Sequence, residues 1–559
     1  MKFFVTSTKF LNLLLVIVCF EANSQQFSWQ WAISFGGNAN DVIAEIAVDD
    51  NENLYATGYF QSDTIRIGDI TLIRTNQYSQ FFLLKCDKYG NVMWAKQSYG
   101  NAVSVGSGIG TDKYGNVYVC GNFRNDSVIF DNLVLHNNGD PFSFSTFLVK
   151  YDPNGNVLWA RSSYSADVAV HKSFTDRQGN TYLAGNFYGL IAIFENDTIW
   201  NINPSWYYTD FFIVKYDSSG NVKMLNSGGS NSYDGIGDIY VDSENKILVI
   251  GGFTGSIAYL DEQTVTNLYP GSADIFVAEY DQEGEAQWAI SAGSNSEDYG
   301  FCITRKSDEI IIAGVFGGNS IQLGKNILYE TAGDRFIAKL NPSGNVEWAN
   351  YIGTGYGVIN AISIAGDSII AAGRFNDEFL FGNYTFEPIG SADIFLVSYD
   401  NFGNQGWAIQ AGGSGVDEIK DLSVTANAIY CGGTFSSDQI QFDTTLLSNE
   451  DISSYDFFLG RWGLPISQDP IDTTISSVLM LPNPADQSVT FYISSNSEKS
   501  SNFMICNYLG QFILNFNYFL QPGYNEFQIN VSMLAPGLYF LTEANGLIEA
   551  NKLIIQHTH

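Results

Sequence analysis

Aspartates are the most regular set of reactive side chains in this sequence. One row follows small-residue segments such as Gly-Gly and consists of Asp41, Asp167, Asp234, Asp298 and Asp417. A second row opens short apolar segments and consists of Asp210, Asp274, Asp334, Asp393 and Asp456. Hard cations take several oxygen ligands, so these rows could form a face that binds calcium or a polar ligand. The alternative is that each aspartate caps its own loop by accepting hydrogen bonds from backbone N–H groups.

The aspartates recur along the repeats, whereas a single binding site rarely needs one copy in every repeat. This recurrence helps to choose between ligand binding and loop capping. It favours loop capping. The candidate ligand-binding residues are Asp41, Asp234, Asp298, Asp417, Trp200 and Trp206. Both tryptophans lie in the long segment 196–210, which also contains Tyr207 and Tyr208. Such aromatic rings either stack on sugar rings or pack at the edge of the fold, and both interpretations stay open.

Other catalytic chemistry has little support in the sequence. Of four histidines, His136 and His171 are isolated, and His557 and His559 lie at the end of the chain. The sequence contains no zinc motif and no phosphate-binding glycine loop. Triads of the Ser/His/Asp type converge only in space, so their spacing cannot reveal them. We therefore assign no catalytic residue, no metal ligand and no cofactor, and calcium is the one ion that the aspartates could hold.

The net charge of the chain limits the kinds of molecule that it can bind. The chain has 559 residues, with 59 Asp and Glu against 26 Lys and Arg, and a formal net charge of −33. An acidic excess of this size repels phosphate backbones and anionic lipids. The composition therefore argues against binding to nucleic acid or to a membrane surface, and it suits a soluble protein outside the cell.

The first residues resemble a secretory signal. Lys2 and Lys9 precede an apolar run, and Ala22-Asn23-Ser24 is a small-residue cleavage site. We expect a signal peptide over residues 1–24, with no membrane-spanning segment in the mature chain. Five cysteines remain after it, without paired spacing, so we expect them to be buried thiols instead of a disulfide framework.

Two phrases alternate along most of the chain. The first is typified by Lys-Tyr-Asp-Pro-Asn-Gly-Asn-Val-Leu-Trp-Ala at 150–160, and the second by Asp-Lys-Tyr-Gly-Asn-Val-Tyr-Val-Cys-Gly at 112–121. Each predicts a β-hairpin with a type I turn and a glycine bulge. The strand glycines of the second phrase number seven: Gly58, Gly121, Gly185, Gly251, Gly314, Gly373 and Gly432. Units of roughly 60 residues with two hairpins fit the blades of a β-propeller.

The ends of the repeat array predict how it closes. The last unit stops at Asp456–Arg461 without its Trp-bearing strand, and that strand occurs alone at 27–34. We therefore predict an all-β, seven-bladed propeller over residues 25–462, with four strands per blade and the N-terminal strand completing the last blade. Tryptophans recur at one position of the repeat, and we expect them to wedge between blades: Trp31, Trp94, Trp159, Trp288, Trp348 and Trp407.

These phrases resemble the secreted bacterial beta-propeller repeat family over about residues 27–462. That resemblance implies a surface or extracellular protein and implies no particular activity. The Asp-x-x-Gly-Asn-x-x-x-Trp core is also similar to quinoprotein propeller repeats, although the Thr that usually precedes the turn glycine is missing.

Beyond Trp462 the repeats end. Residues 463–477 are predicted to be a linker. Residues 478–559 resemble the C-terminal sorting domain of the type IX secretion system, through motifs that include Pro482, Asn483, Pro484, Pro536, Gly537, Tyr539 and Lys552. The resemblance implies an immunoglobulin-like β-sandwich, engagement of the type IX machinery, and a protein that is secreted or attached to the outer-membrane surface.

Two functions are compatible with these features. The first is a non-catalytic binding or adhesion module for an unknown extracellular ligand, either a glycan or a protein. The second is a carbohydrate-active hydrolase or lyase that uses carboxylates at the channel mouth. Near-equivalence of the repeats favours the binding module, because a catalytic site normally makes one or two blades differ from the rest.

Overall fold

The computed structural model describes residues 27–137, 141–164, 167–203, 207–329, 333–464, 475–495, 499–507, 512–521, 523–543 and 551–557. Every helix or strand assigned in these ranges is a β-strand, and adjacent strands run antiparallel, as the predicted all-β class requires. The chain divides into two compact units, residues 1–465 and residues 466–559. The predicted signal peptide lies outside the described residues.

None of the elements in those ranges is a helix with the length and apolarity needed to cross a membrane.

The first unit begins with β1 (Ser28–Phe35) and then repeats one arrangement of four strands, which we name sheets I to VII. Sheet I contains β2 (Asp41–Val48), β3 (Leu54–Phe60), β6 (Gln80–Cys86) and β7 (Val92–Gln97), and its rim hairpin is β4 (Thr64–Ile67) and β5 (Ile70–Ile73). Sheet II follows the short β8 (Tyr99–Gly100) and contains β9 (Val103–Thr111), β10 (Val117–Arg124), β13 (Ser145–Tyr151) and β14 (Val157–Tyr164), with rim strands β11 (Ser127–Phe130) and β12 (Leu133–His136).

Sheets III to V repeat the pattern. Sheet III contains β15 (Asp167–Thr175), β16 (Thr181–Tyr188), β19 (Thr209–Tyr216) and β20 (Val222–Gly229), with rim strands β17 (Ile191–Phe194) and β18 (Asp197–Trp200). Sheet IV contains β21 (Asp234–Val241), β22 (Ile247–Phe253), β25 (Asp274–Tyr280) and β26 (Ala286–Ala292), with rim strands β23 (Ile257–Leu260) and β24 (Gln263–Thr266). Sheet V contains β27 (Asp298–Lys306), β28 (Glu309–Phe316), β31 (Arg335–Leu340) and β32 (Val346–Tyr351), with rim strands β29 (Ser320–Leu323) and β30 (Asn326–Tyr329).

Sheets VI and VII complete the first unit. Sheet VI contains β33 (Gly357–Ala365), β34 (Ser368–Phe375), β37 (Asp393–Asp400) and β38 (Gln405–Ala411), with rim strands β35 (Phe379–Phe381) and β36 (Tyr384–Phe386). Sheet VII contains β39 (Asp417–Val424), β40 (Ala428–Phe435) and β43 (Asp456–Gly463), with rim strands β41 (Gln439–Phe442) and β42 (Thr445–Ser448). Its fourth strand is β1, which pairs with β43 from Ser28 opposite Gly463 to Phe35 opposite Phe457. The predicted pairing of the two ends of the array is confirmed.

Turn chemistry explains why the hairpins form where they do. In the turn 152–156, Asp152 Oδ1 accepts from the backbone N–H groups of Asn154 and Asn156, both at 2.9 Å. Gly155 has φ +80°, the left-handed region that glycine adopts without a steric penalty. The Asp152 N–H donates to Asn156 O and the Gly155 N–H donates to Asp152 O, both at 2.9 Å, so Gly155 and Asn156 together oppose Asp152 as the predicted glycine bulge. Hydrogen bonds among neighbouring residues therefore determine this turn.

The seven sheets contact one another in succession. The first strands of neighbouring sheets touch from β2 through to β39, and β39 touches β2 again. All seven of these strands also contain a β-bulge at the corresponding position. The buried core divides into clusters that run across sheet boundaries, such as the cluster of β3, β6, β40 and β43 that contains Phe82 and Phe457.

The repeated tryptophans lie at these boundaries, as predicted. Trp31 donates its indole N–H to Lys88 O at 3.0 Å, in the turn of the following sheet. The turn glycine rests on the ring, and a methyl group on Gly90 would lie 3.0 Å from Trp31 Cδ2. The five cysteines at 86, 120, 302, 431 and 506 are buried and unbonded to one another, as expected.

The second unit has two antiparallel sheets. One contains β44 (Ile475–Leu481), β45 (Ser488–Ser495) and β48 (Gly523–Asn530), and the other contains β46 (Lys499–Asn507), β47 (Phe512–Leu520), β49 (Gly537–Glu543) and β50 (Asn551–Ile555). Both sheets contribute buried side chains to one core, including Phe491, Phe503 and Leu541.

Candidate functional site

The two rows of aspartates meet at the boundaries between neighbouring sheets. The backbone N–H of Asp41 donates to Tyr455 O, the residue before Asp456, at 2.7 Å. Asp298 makes the same contact with Ala273 O at 2.8 Å, and Asp417 makes it with Ala392 O at 2.9 Å. Four carboxylate pairs result: Asp41 with Asp456, Asp234 with Asp210, Asp298 with Asp274, and Asp417 with Asp393.

First-row members of the pairs are bound by their own loops. Asp41 accepts from the Ser62 hydroxyl at 2.6 Å and from the Gln61 backbone N–H at 3.0 Å. Asp417 accepts from the Ser437 hydroxyl and from the Gly413 N–H, both at 2.7 Å. These carboxylates are buried, which agrees with the loop-capping alternative. As ligand-binding residues, Asp41, Asp234, Asp298 and Asp417 stay a prediction.

In the second-row aspartates of these pairs, only one of the two carboxylate oxygens accepts a hydrogen bond. Asp456 Oδ2 accepts from the Glu450 N–H at 2.9 Å, and Asp210 Oδ2 accepts from the Ile202 N–H at 2.6 Å. The other oxygen of each is buried with no hydrogen-bond partner among the described residues, and the same holds for Asp274 and Asp393. Each of these oxygens faces a glycine of the preceding small-residue segment; for example, a methyl group on Gly36 would overlap Asp456 Oδ1.

Burial changes the protonation of these pairs. It raises the pKa of Asp210, Asp234, Asp298 and Asp456 to about 7 from the usual 3.8. It raises the pKa of Asp41 and Asp417 to about 6, and the hydrogen bonds that both carboxyls accept oppose this rise. Two nearby carboxylates cannot both ionise cheaply, so each pair favours holding a proton near neutral pH.

One boundary opens into a pocket at this end of the first unit. It has a volume of about 250 Å³ and lies across sheets III to V. Glycines form its floor, and these are Gly235, Gly237, Gly251, Gly252 and Gly300. A methyl group on Gly237 would lie 2.1 Å from Gly300 O, so only glycine permits this approach of β21 and β27.

Aromatic side chains form the walls of this pocket. Tyr299 stacks on Phe301 with ring centroids 6.1 Å apart and planes at 17°. Tyr299 also donates its hydroxyl to Glu297 Oε2 at 2.8 Å, and burial with this acceptor raises the pKa of Tyr299 to about 12. Tyr233 is half exposed on the opposite side and meets Tyr208 edge-on at 5.2 Å. Exposed aromatic faces above a backbone floor suit a flat, hydroxylated ring.

The polar side chains of the pocket come from sheets III and IV. Asn186, Thr209, Thr254 and Asp234 line it, and the Thr209 hydroxyl donates to Asp234 O at 2.7 Å. Of the predicted site residues, the structure therefore places Asp234 on the pocket. Trp200 is exposed at the end of β18 and does not line it, and Trp206 lies outside the described residues.

A charged cluster lies on the first strands, just after their bulges, and sequence reasoning missed it. Lys172 on β15 is near Glu45 on β2, Asp238 on β21 and Asp421 on β39, and their charges raise the pKa of Lys172. Burial raises the pKa of Asp238 to about 6 and that of Glu45 well above its usual value. The available signal was a carboxylate four residues after a first-row aspartate, as in Asp41 to Glu45.

Within the described ranges, no set of three or more His, Cys, Asp or Glu side chains is arranged to hold a metal ion. Each boundary pair offers two carboxylates, and its first-row member already accepts several loop hydrogen bonds.

The sorting motif clusters around the last strand of the second unit. Asn483 Nδ2 donates to Lys552 O at 2.7 Å, and the Ile554 N–H donates to Asn483 Oδ1 at 2.8 Å. Tyr539 donates its hydroxyl to Ala535 O at 2.9 Å, next to Pro536 and Gly537. The segment with Pro482 and Pro484 therefore fastens β50 through the side chain of Asn483.

A family model for a secretion system C-terminal sorting domain matches residues 479–556. The predicted sorting domain is confirmed. A tail of this kind indicates export through the type IX secretion system, and a protein that is secreted or attached to the cell surface.

Two curated proteins match longer stretches. The uncharacterized WD repeat-containing protein L264 of Acanthamoeba polyphaga mimivirus is 23% identical over 575 residues, which cover 85% of this chain and 40% of that protein. The regulatory protein FlaEY of Caulobacter vibrioides is 22% identical over 389 residues, covering 63% of this chain and 39% of that protein. The chain thus spans about two fifths of the length of these relatives, and the first match supports a repeated β-structure.

Solved structures give weaker similarity. Dimeric latent PorU from Porphyromonas gingivalis is 10% identical, with 74% of this chain and 31% of that chain covered and a TM-score of 0.14. A glycoside hydrolase family 43 arabinoxylan arabinofuranohydrolase from Bacillus subtilis, in complex with cellotetraose, is 10% identical, with 80% and 93% covered and a TM-score of 0.24. TM-scores this low do not bear on the function of this chain.

Proposed function

We propose that residues 25–462 form a seven-bladed β-propeller that is displayed outside the cell and binds an extracellular ligand without catalysis. Sheets I to VII would be the blades, and the succession of contacts from β2 to β39 and back to β2 supports this ring. In this proposal residues 1–24 are a cleaved signal peptide and residues 463–477 are a linker. Residues 478–559 are an immunoglobulin-like domain that engages the type IX machinery, and the two packed sheets of the second unit support that assignment.

The pocket floored by glycines carries the binding proposal. It joins exposed Tyr233 and Tyr299 to backbone amides and to the side chains of Asn186 and Thr254. Aromatic rings beside hydrogen-bonding groups are the usual means of holding a sugar ring. We therefore propose a glycan as the ligand, with Asp234 as the predicted site residue that contacts it.

A glycan array tests this proposal. The mature protein should bind a defined set of glycans, and Tyr299→Ala and Tyr233→Ala should each weaken binding at least tenfold. Tyr114→Ala is the matched control, because Tyr114 is an exposed tyrosine in a turn of sheet II outside this pocket. Trp200→Ala and Trp206→Ala test the two tryptophans predicted from the sequence in the same assay. Binding that none of the pocket variants changes would contradict the proposal.

A hydrolase or lyase is the second candidate, and Asp234 is the observation that favours it. Asp234 lines the pocket, and its buried carboxyl pairs with Asp210 and has a pKa of about 7, so it can hold a proton at neutral pH as a general acid does. Equivalent pairs at three other boundaries favour a structural role. Turnover of any polysaccharide that Asp234→Asn abolishes would establish the enzyme and replace the binding module.

A further inference from the structure

At several sheet boundaries, a turn of the next sheet covers the repeated tryptophan in the same way. Trp94, Trp159 and Trp348 donate their indole N–H to the second residue of the next turn, at 3.1 to 3.2 Å. The glycine of that turn rests on the indole face, as Gly403 does on Trp348. Trp94, Trp159 and Trp348 therefore each hold an Asp-x-x-Gly-Asn turn through one hydrogen bond and one ring contact. Trp288 holds an Asn-x-x-Gly-Asn turn through the ring contact with Gly344 alone, because its indole N–H has no hydrogen-bond partner among the described residues.

Trp407 is the exception. The turn that should cover it would join β43 to β1, and these strands are the two ends of the array. Trp462 packs against Trp407 instead, with ring centroids 4.5 Å apart, and Phe27 lies 4.9 Å from Trp462. Among the described residues, no acceptor takes a hydrogen bond from the indole N–H of Trp407.

Two further departures from the repeat enlarge this boundary. In sheets I to III a lysine of the third strand lies over a tyrosine of the second, as Lys150 does over Tyr118 at 4.9 Å, and Lys150 also donates to Ser218 O in the next turn. In sheet VI the paired positions hold Ser398 and Ile370, which are both smaller. The result is a cavity of about 950 Å³, lined by Trp407, Trp462, Ile370, Ile429, Thr425 and Phe27.

We infer that this cavity binds a glycine-containing peptide turn of the Asp-x-x-Gly-Asn type, presented by another polypeptide. The cavity continues the series of turn-on-indole interfaces: Trp407 lines it, and no described residue accepts a hydrogen bond from the indole N–H of Trp407, while Trp462 packs beside the ring. Its volume lies within the roughly 300–1,000 Å³ that ligand sites occupy. This site lies between sheets VI and VII, and it does not depend on the glycan proposal for the pocket at sheets III to V.

The probe is a cyclic peptide that carries the sequence of residues 152–157, Asp-Pro-Asn-Gly-Asn-Val. Calorimetry with the mature chain should give saturable binding at one site. Trp407→Leu should weaken that binding at least tenfold, and Trp348→Leu should change it less than twofold, because Trp348 is already covered. Should Trp407→Leu fail to fold, Trp407→Phe keeps the ring, removes the N–H, and should weaken binding by at least threefold.

A second peptide tests the ring contact without changing the protein. Replacing its glycine by valine places a branched side chain against the indole, so the affinity should fall at least tenfold. The inference is overturned if neither peptide binds, if both bind equally, if the Trp407 variants bind as well as the native chain, or if cello-oligosaccharides occupy the site and the peptides do not.

Discussion

At the scale of single residues, the paired aspartates stand out because burial changes their acidity. The unfolded chain releases these protons near pH 4, whereas the folded chain holds them to about pH 6 or 7. Between those values the folded state binds more protons than the unfolded state. The free energy of unfolding must therefore fall as pH rises through this window.

The expected result is a melting temperature that decreases from pH 5 to about pH 7 and then levels off. Each shifted carboxyl contributes up to about 1.4 kcal/mol per pH unit within the window. Asp456→Asn should reduce the slope, since an amide does not ionise and can donate to Asp41. Asp69→Asn is the charge-matched control, because Asp69 is fully exposed. Equal slopes for the native chain and Asp456→Asn would show that the pairs do not hold protons.

Truncation of tryptophans should separate covered from uncovered boundaries. Trp348→Ala removes a ring that packs under Gly403 and should lower the free energy of unfolding by about 3–5 kcal/mol. Trp407→Ala should cost about half as much, because one side of its ring faces a cavity. Urea denaturation measures both. A loss for Trp407→Ala that matches or exceeds that for Trp348→Ala would contradict this account.

At the scale of elements, β1 is the strand whose placement the whole first unit needs. It covers β43, and Trp29 packs edge-on against Phe442 at 4.7 Å. Without it, β43 would be an open sheet edge, and the aromatic core beneath would meet water.

Deletion of residues 27–35 should lower the free energy of unfolding by at least about 3 kcal/mol, since several large apolar side chains lose their burial. Thermal melting followed by near-ultraviolet circular dichroism measures the loss of aromatic packing. A chain that ends at residue 464 is the control, because it keeps every strand of the seven sheets and should melt as the first unit does. An unchanged melting temperature for the N-terminal deletion would rule out the structural role of β1.

Elements also show which parts of the structure the sequence can predict. The turn at 152–156 was predictable because its geometry depends on five adjacent residues, and the pairing of β1 was predictable because one tryptophan strand was missing from the last repeat. The pairing of Asp41 with Asp456 was not, because it joins residues 415 positions apart that only the ring brings together. Ser398 differs visibly from the charged residues at its position in the other repeats, but its consequence, a cavity, depends on where the chain ends.

The site was predicted less completely than the fold. Asp234 lines the pocket, but its tyrosine walls were not singled out, because Tyr233 and Tyr299 belong to different repeats and look unremarkable in each. The cluster of Lys172 with Glu45, Asp238 and Asp421 was missed for the same reason. These four charged residues belong to four different repeats, and they come close together only when the first strands of those repeats face each other.

At the scale of the whole molecule, the second unit directs the first to its destination. Asn483 holds β50 through two hydrogen bonds, to Lys552 O and from the Ile554 N–H. Loss of this side chain should loosen the final strand of the sorting domain, which the export machinery must recognise.

Asn483→Ala should therefore lower the fraction of protein found outside the cell, and deletion of residues 479–556 should abolish export and leave the protein in the periplasm. Immunoblots of periplasmic and extracellular fractions from a type IX-competent host measure both. Asn530→Ala is the control, because its side chain bonds only the adjacent Ser532 among the described contacts. Normal export of the deleted chain would contradict the assigned role of the tail.

The pairing of β1 with β43 also fixes the order in which the first unit can assemble. Gln30 donates to Gly463 O, 433 positions further along the chain, so the strand synthesised first must wait unpaired until nearly the whole array exists. Contacts of such long range form late and slow folding. In a circular permutant with residues 27–35 placed after Gly463, this long-range pairing becomes a local hairpin. The folded, protease-resistant protein should therefore form sooner after synthesis.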